Sequence, residues 1–232
     1  MRRLAFLSLW LLVFSIPWEN SFLVPFVGDV SHLVGIATLG MGVLSLLAAR
    51  RIRLPGSALI GTLSFTFWGG LTYFWSLDPE LSLGRMWTYW QLTGLVWLIW
   101  ELAPESYEQV ALMQAYVLGS YLAAAMTFYS YLLNQTPYYL RYVASGFDPN
   151  DLGLTLALGI PMTGYLAISE KKRLAGWVWR LYFAVGITAI LLTASRGAAL
   201  AASVALLVIP WAYSNLTKSQ RTAVLVLAAI TA

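Results

Sequence analysis

Long apolar runs separated by short polar segments make up most of the chain. The runs are about 20 residues long and do not alternate strictly between apolar and polar positions, which favours membrane-spanning helices over a β-barrel. The pattern predicts an all-α, polytopic membrane helical bundle with about eight complete spans. They are placed at about 4–17, 30–49, 57–75, 83–102, 110–133 and 150–168, with two more inside 174–213.

The run 174–213 is predicted to form two helices joined by a tight turn. One continuous helix would be ~60 Å long, which is two crossings of a ~30 Å hydrocarbon core. The polar interruption near its middle is Thr193, Ser195 and Arg196, so the turn is placed there. A further apolar run begins at Thr222 but reaches only ~17 Å by Ala232. We therefore expect a truncated ninth helix, and a single transmembrane domain over 1–232 that is the N-terminal part of a longer protein.

Composition agrees with this interpretation and limits the chemistry. The chain is 59% hydrophobic and only 10% charged, whereas soluble domains carry about 25% charged residues. It has no cysteine and one histidine, His32, which excludes disulfides and thiolate chemistry and removes most zinc-site and histidine-triad schemes. We predict no metal and no cofactor. The expected surroundings are a lipid bilayer, without a nucleic-acid partner.

The basic residues fall into four clusters whose spacing predicts the topology. The number of predicted spans between consecutive clusters is always even, so all four share one side of the membrane. By the positive-inside rule that side is cytoplasmic, and so is the N-terminus. The clusters are Arg2/Arg3, Arg50/Arg51/Arg53, Lys171/Lys172/Arg173 and Lys218/Arg221.

Three arginines, Arg85, Arg141 and Arg196, fall on the outer side instead, each at a predicted helix end. Arginines near a membrane are costly and usually have a partner. One interpretation is structural, with interfacial anchoring or pairing to nearby acids. The other is a site for an anionic substrate. The acids on the same side are Asp78, Glu80, Asp148 and Asp151.

The segment 141–153 carries the strongest local signals. Asp148 is predicted to be a helix N-cap, Pro149 suits the first helical position, and Asp151 occupies the place of a capping-box acid. The eighth predicted span starts at Ser195. Both helices begin on the outer side, so their free N–H groups and positive dipole ends face outward. With Arg141 and Arg196 they could hold a pyrophosphate, since the guanidinium fork matches phosphate oxygens. A two-carboxylate hydrolase is a weaker alternative.

Three stretches together resemble the bacterial O-antigen ligase family, whose superfamily includes O-antigen polymerases. They are Thr72-Tyr-Phe-Trp-Ser-Leu-Asp-Pro-Glu-Leu-Ser-Leu-Gly-Arg85, the segment 141–153 and Leu192-Thr-Ala-Ser-Arg-Gly197. The resemblance covers about the first half of a typical member.

The resemblance implies a glycosyltransferase of the bacterial inner membrane. A glycan would move from undecaprenyl diphosphate to a hydroxyl acceptor, such as lipid A–core, on the periplasmic face without metal or nucleotide. Arg141 and Arg196, and less securely Arg85, would bind the diphosphate. The helix starts would support them through Asp148, Asn150, Asp151 and Ser195.

No catalytic residue is identified in this sequence. The family places a functionally important histidine in a large periplasmic loop, as the candidate base, and His32 does not match that position. A polymerase of the same superfamily remains an alternative. So does a transporter, although Gln91 and Gln114 are the main polar residues inside spans and no pair of broken helices is evident.

Overall fold

Eight α-helices form the framework of the part of the chain that the structure describes. The structure is a computed structural model and describes residues 1–24, 28–50, 52–135, 140–170, 173–212 and Thr222. Each helix overlaps one predicted span. They are α1 (Arg2–Ser15), α2 (Val30–Ala49), α3 (Ser57–Leu71), α4 (Pro79–Leu102), α5 (Ser106–Leu132), α6 (Pro149–Ser169), α7 (Arg173–Thr193) and α8 (Arg196–Ala212).

Short irregular elements link some of these helices. The 3-10 segment Ile16–Ser21 continues α1, and a second one, Thr72–Trp75, continues α3. Between α1 and α2 lies a two-residue antiparallel pair of strands, β1 (Leu23–Val24) and β2 (Gly28–Asp29).

Five of the described helices, rather than eight, are long and apolar enough to cross a membrane. The five segments are Arg2–Ser21, Val30–Ala49, Ser106–Leu132, Pro149–Ser169 and Gly176–Thr193. The prediction of eight complete spans therefore exceeds what length and composition support. The predicted ninth helix lies outside the described residues, except for Thr222.

The other three helices fall short for different reasons. The helix α3 has 15 residues and α8 has 17, so they are about 23 and 26 Å long. The helix α4 has 24 residues, but it carries Glu80, Arg85 and Glu101 and is rich in tryptophan.

The chain forms two compact units. Unit 1 contains Met1–Leu9 and Val34–Gln109, and unit 2 contains Trp10–Leu33 and Val110–Ala232. In unit 1, α3 and α4 pack as a helical hairpin. The hydroxyls of Thr66 and Thr93 share a buried hydrogen bond of 2.7 Å in this hairpin. A buried polar pair of this kind satisfies both hydroxyls inside an apolar contact.

Charged side chains form an ion pair, a hydrogen bond and a cation–π contact at helix ends in unit 1. Arg2 Nη2 lies 2.6 Å from Glu108 Oε1. The backbone N–H of Arg53 donates to Glu101 Oε1 at 3.0 Å. The Arg53 guanidinium also lies 4.5 Å from the centre of the Trp100 ring, in a cation–π contact. These arginines belong to the first two basic clusters, which the sequence places on the cytoplasmic side.

In unit 2, α6 is the central helix and packs against both α7 and α8. Leu152, Leu156 and Ile160 on α6 are fully buried. The Tyr182 hydroxyl of α7 donates to the Leu156 carbonyl at 2.9 Å. Gly159 makes room for that ring, because a Cβ there would lie 2.6 Å from the Tyr182 oxygen. The position and direction of α6 are thereby fixed, which determines where its N-terminus lies.

Candidate functional site

The start of α6 is organised by Asp148, as the sequence predicts. Asp148 has an extended backbone with φ −72° and ψ 139°, and Pro149 follows at the first helical position. Asp148 Oδ1 accepts a hydrogen bond from the Asn150 backbone N–H at 2.8 Å. The capping box expected from Asp151 does not form, because the exposed Asp151 carboxylate accepts no hydrogen bond from any described residue. Aspartate is one methylene shorter than the glutamate of that motif, so its reach back to the cap is shorter.

The start of α8 is organised by Ser195. The helix α7 ends at Thr193 and α8 begins at Arg196, so the predicted tight turn is confirmed. Ala194 takes the left-handed conformation with φ 50°. Ser195 Oγ accepts a hydrogen bond from the Ala198 N–H at 3.3 Å, which makes Ser195 the N-cap of α8. Only 3% of Ser195 is exposed.

The two helix starts touch each other. Ser195 Oγ donates a hydrogen bond to Asn150 Oδ1 at 3.0 Å. Gly153, in the first turns of α6, makes this approach possible: a Cβ built on it would lie 2.6 Å from the Ala198 Cβ and 3.0 Å from Thr193 Oγ1. Two positive helix ends therefore lie side by side, a favourable place for an anion.

Arg141 is held between the end of α7 and the start of α6. Its Nε donates to the Thr193 carbonyl at 2.9 Å, and its Nη2 donates to Asn150 Oδ1 at 2.9 Å. The neighbouring Tyr142 N–H donates to the Leu192 carbonyl at 3.0 Å. These contacts fix the guanidinium while leaving it further N–H donors for a ligand, since arginine has five.

Arg196 is exposed and makes no hydrogen bond or ion pair with any residue in the described ranges. Neither Arg196 nor Arg141 pairs with a carboxylate among the described residues. The ion pair found there joins Arg2 to Glu108 instead. The interpretation in which nearby acids neutralise these arginines thus has no support in this part of the chain.

Arg85 belongs to unit 1, where it lines a cavity of about 290 Å³ with Asp78, Ser82 and Tyr89. Asp78 is the N-cap of α4 and accepts a hydrogen bond from the Leu81 N–H at 3.1 Å. The Asp-Pro start of α4 thus repeats the Asp-Pro start of α6. That Arg85 acts together with Arg141 and Arg196 stays a prediction.

Two features of unit 2 were not predicted from the sequence. The first is the role of Asn150: it is predicted as part of the start of α6, but not as the acceptor whose amide oxygen receives hydrogen bonds from both Arg141 and Ser195. The second is a cavity of about 760 Å³ formed by Ser21 and Phe22, the end of α5 with Gln135, and residues 143–147. No local signal predicts this cavity, because its walls come from three segments that are distant in the sequence.

Chemically, the arrangement in unit 2 can bind an anion with several oxygens. It offers one fixed guanidinium, one exposed guanidinium and two adjacent helix N-termini. No family model matches the sequence, and comparisons with curated proteins and with solved structures found no match either.

Proposed function

We propose that this chain binds the diphosphate of an undecaprenyl-linked glycan at the outer face of the bacterial inner membrane. It does so as an O-antigen ligase-like glycosyltransferase, with a hydroxyl acceptor such as lipid A–core. The observation that carries the proposal is the pair of hydrogen bonds at Asn150. Its amide oxygen accepts from Arg141 and from Ser195, so Arg141 is linked to the starts of α6 and α8. Arg196, at the start of α8, has no partner among the described residues.

The geometry suits a diphosphate leaving group. In the transfer, the bond from the anomeric carbon to the diphosphate oxygen breaks and a bond to the acceptor oxygen forms, so negative charge develops on the diphosphate. Arg141 is already oriented by Thr193 and Asn150, so it loses little freedom on binding. Fixed positive groups that face developing charge are the usual source of electrostatic catalysis. The acceptor proton needs a base, and the proposal assigns none to this chain.

The eight-crossing topology with a cytoplasmic N-terminus is part of the proposal. Five helices meet the requirements of length and apolarity, and α3 with α4 forms a hairpin. A hairpin returns to the side on which it starts, so the first three basic clusters share a side whether or not α3 and α4 cross. For these three clusters, the positive-inside argument therefore does not depend on whether the hairpin crosses the membrane.

An O-antigen polymerase would use the same diphosphate site and would differ in its acceptor. Arg141 and Arg196 would serve both reactions in the same way, since both reactions release undecaprenyl diphosphate. The proposal concerns the donor side of the reaction, which the two share.

The test compares binding of undecaprenyl diphosphate and undecaprenyl monophosphate to the protein in lipid nanodiscs. The wild-type protein is expected to prefer the diphosphate by roughly tenfold or more, because a second phosphate adds charge-assisted hydrogen bonds. Arg141→Ala is expected to remove this preference. Arg180→Ala is the matched control, since Arg180 is exposed on α7 and has no hydrogen-bond partner in the described ranges. Equal affinities of the wild-type protein for the two lipids would overturn the proposal.

A further inference from the structure

The cavity of about 760 Å³ in unit 2 has the size of a ligand site, for which ~300–1,000 Å³ is typical. Its floor is formed by Val143, Ala144 and Phe147, which are buried. The lining also includes Gly146. Gly146 takes a left-handed conformation with φ 81°, and a Cβ there would collide with the Asn20 carbonyl oxygen.

Two aromatic rings line the cavity and are largely exposed. Tyr129 is 62% exposed on the last turns of α5, and Phe22 is 49% exposed. The Phe22 ring is held by an edge contact with Trp18, with ring centres 5.7 Å apart. These rings offer flat apolar faces to a ligand.

Polar groups without partners lie beside the rings. Ser21 Oγ is buried and has no hydrogen-bond partner among the described residues. A buried hydroxyl without a partner is unfavourable unless a ligand or water satisfies it. The Ser145 hydroxyl and the Gln135 amide also line the cavity and make no side-chain hydrogen bond in the described structure. Ser130 is different, because its hydroxyl already donates to the Gln135 carbonyl at 2.9 Å.

The cavity adjoins the arginine that is proposed to hold the diphosphate. Arg141 and Val143 are two residues apart, so their Cα atoms are separated by at most about 7 Å. The backbone of the cavity lining therefore begins close to the backbone of Arg141.

We propose that this cavity binds a pyranose ring of the transferred glycan. The inference rests on the proposed function and adds the place where the sugar lies. A pyranose has apolar C–H faces that suit Tyr129 and Phe22, and a rim of hydroxyls that suits Ser21, Ser145 and Gln135. An acyl chain would leave those polar groups unsatisfied, so the lining favours a sugar over a lipid tail.

The experiment measures saturation-transfer NMR of methyl pyranosides with the full chain in nanodiscs. The pyranosides are those of glucose, galactose, mannose and N-acetylglucosamine. The preparation must be free of maltoside detergents, because their head groups are themselves pyranoses. At least one pyranoside is expected to bind, and Tyr129→Ala is expected to weaken that binding about tenfold. Tyr129→Phe, which keeps the ring, should retain it.

The control is Tyr107→Ala, which removes a similarly exposed tyrosine (69%) from the other end of α5. Undecaprenyl diphosphate binding is measured on the same samples, so the two proposals can fail separately. Diphosphate binding without binding of any pyranoside would overturn the sugar site alone. Equal losses of pyranoside binding in the Tyr129→Ala and Tyr107→Ala variants would also overturn it. Pyranoside binding without diphosphate preference would retain the sugar site and overturn the proposed donor.

Discussion

At the scale of single residues, the two arginines of unit 2 differ in how they are held. Arg141 is bound to Thr193 and Asn150, whereas Arg196 has no partner in the described structure. A fixed guanidinium contributes preorganised charge, while an unpaired one at an exposed helix start can move to meet a ligand. Substitution at Arg141 should therefore affect both folding and binding, and substitution at Arg196 should affect binding alone.

We expect Arg196→Ala to weaken undecaprenyl diphosphate binding by about 1.5–3 kcal/mol, the usual contribution of a hydrogen bond to a charged group. Arg196→Lys should recover only part of this loss, because lysine keeps the charge but lacks the planar fork. The measurement is binding affinity in nanodiscs, together with protein abundance in the membrane.

The structural interpretation predicts a different result for the same variants. An arginine that merely anchors a helix at the interface is replaceable by lysine with little effect. Full affinity of Arg196→Lys at normal abundance would contradict the diphosphate role. A loss of abundance in parallel with affinity would indicate a structural residue instead.

At the scale of helices, the site depends on the close approach of α6 to the start of α8. Gly153 allows that approach, because a Cβ at this position would collide with the side chains of Ala198 and Thr193. The contact brings Asn150 within hydrogen-bonding distance of Ser195. Any residue larger than glycine must separate the two helix ends or distort one of them.

We predict that Gly153→Ala destabilises the protein by about 1–3 kcal/mol, the usual cost of overpacking, and weakens diphosphate binding. The double variant Gly153→Ala with Ala198→Gly should recover part of both losses, because it removes the nearer of the clashing carbons. The measurements are the thermal unfolding midpoint and the affinity for undecaprenyl diphosphate.

The control for this series is Gly94→Ala on α4. Nothing lies within 4 Å of a Cβ at Gly94. The substitution should therefore be neutral or slightly stabilising, because alanine favours a helix interior more than glycine does. If Gly153→Ala behaved like Gly94→Ala, the close approach would not govern the site.

The helices and their caps could be predicted because both depend on local chemistry. Apolar runs mark helices in a membrane, and Asp148, Pro149 and Ser195 cap and start helices through their own side chains. The shared acceptor Asn150 and the cavity at Tyr129 could not be predicted, since each depends on segments that meet only in the folded chain. Five of the eight predicted crossings meet the requirements of length and apolarity; the pattern of apolar runs alone could not show that α3 and α8 are short and that α4 carries polar residues.

At the scale of the whole molecule, topology decides which surface carries the site. The sequence has no cysteine, so single introduced cysteines report their side of the membrane without background labelling. We predict that cysteines at Gln135 and Ser219 react from opposite sides with a membrane-impermeant thiol reagent, with Gln135 outside. Labelling of both from one side would contradict the topology.

A third cysteine, at Leu77, tests whether the hairpin of α3 and α4 crosses the membrane. Leu77 is exposed in the connection between the 3-10 segment Thr72–Trp75 and α4, at the tip of the hairpin that α3 and α4 form. If that hairpin crosses the membrane, the tip lies on the outer side, and the Leu77 cysteine should label from outside like the one at Gln135. If the hairpin stays on the cytoplasmic side, the Leu77 cysteine should label only after the membrane is permeabilised. We expect labelling from outside, because the sequence predicts α3 and α4 as membrane spans and Arg85, about two helical turns beyond the α4 cap, on the outer side. Labelling of Leu77 only after permeabilisation, with Gln135 still labelled from outside, would contradict the prediction that Arg85 lies on the outer side and would leave the proposal for Arg141 and Arg196 unchanged.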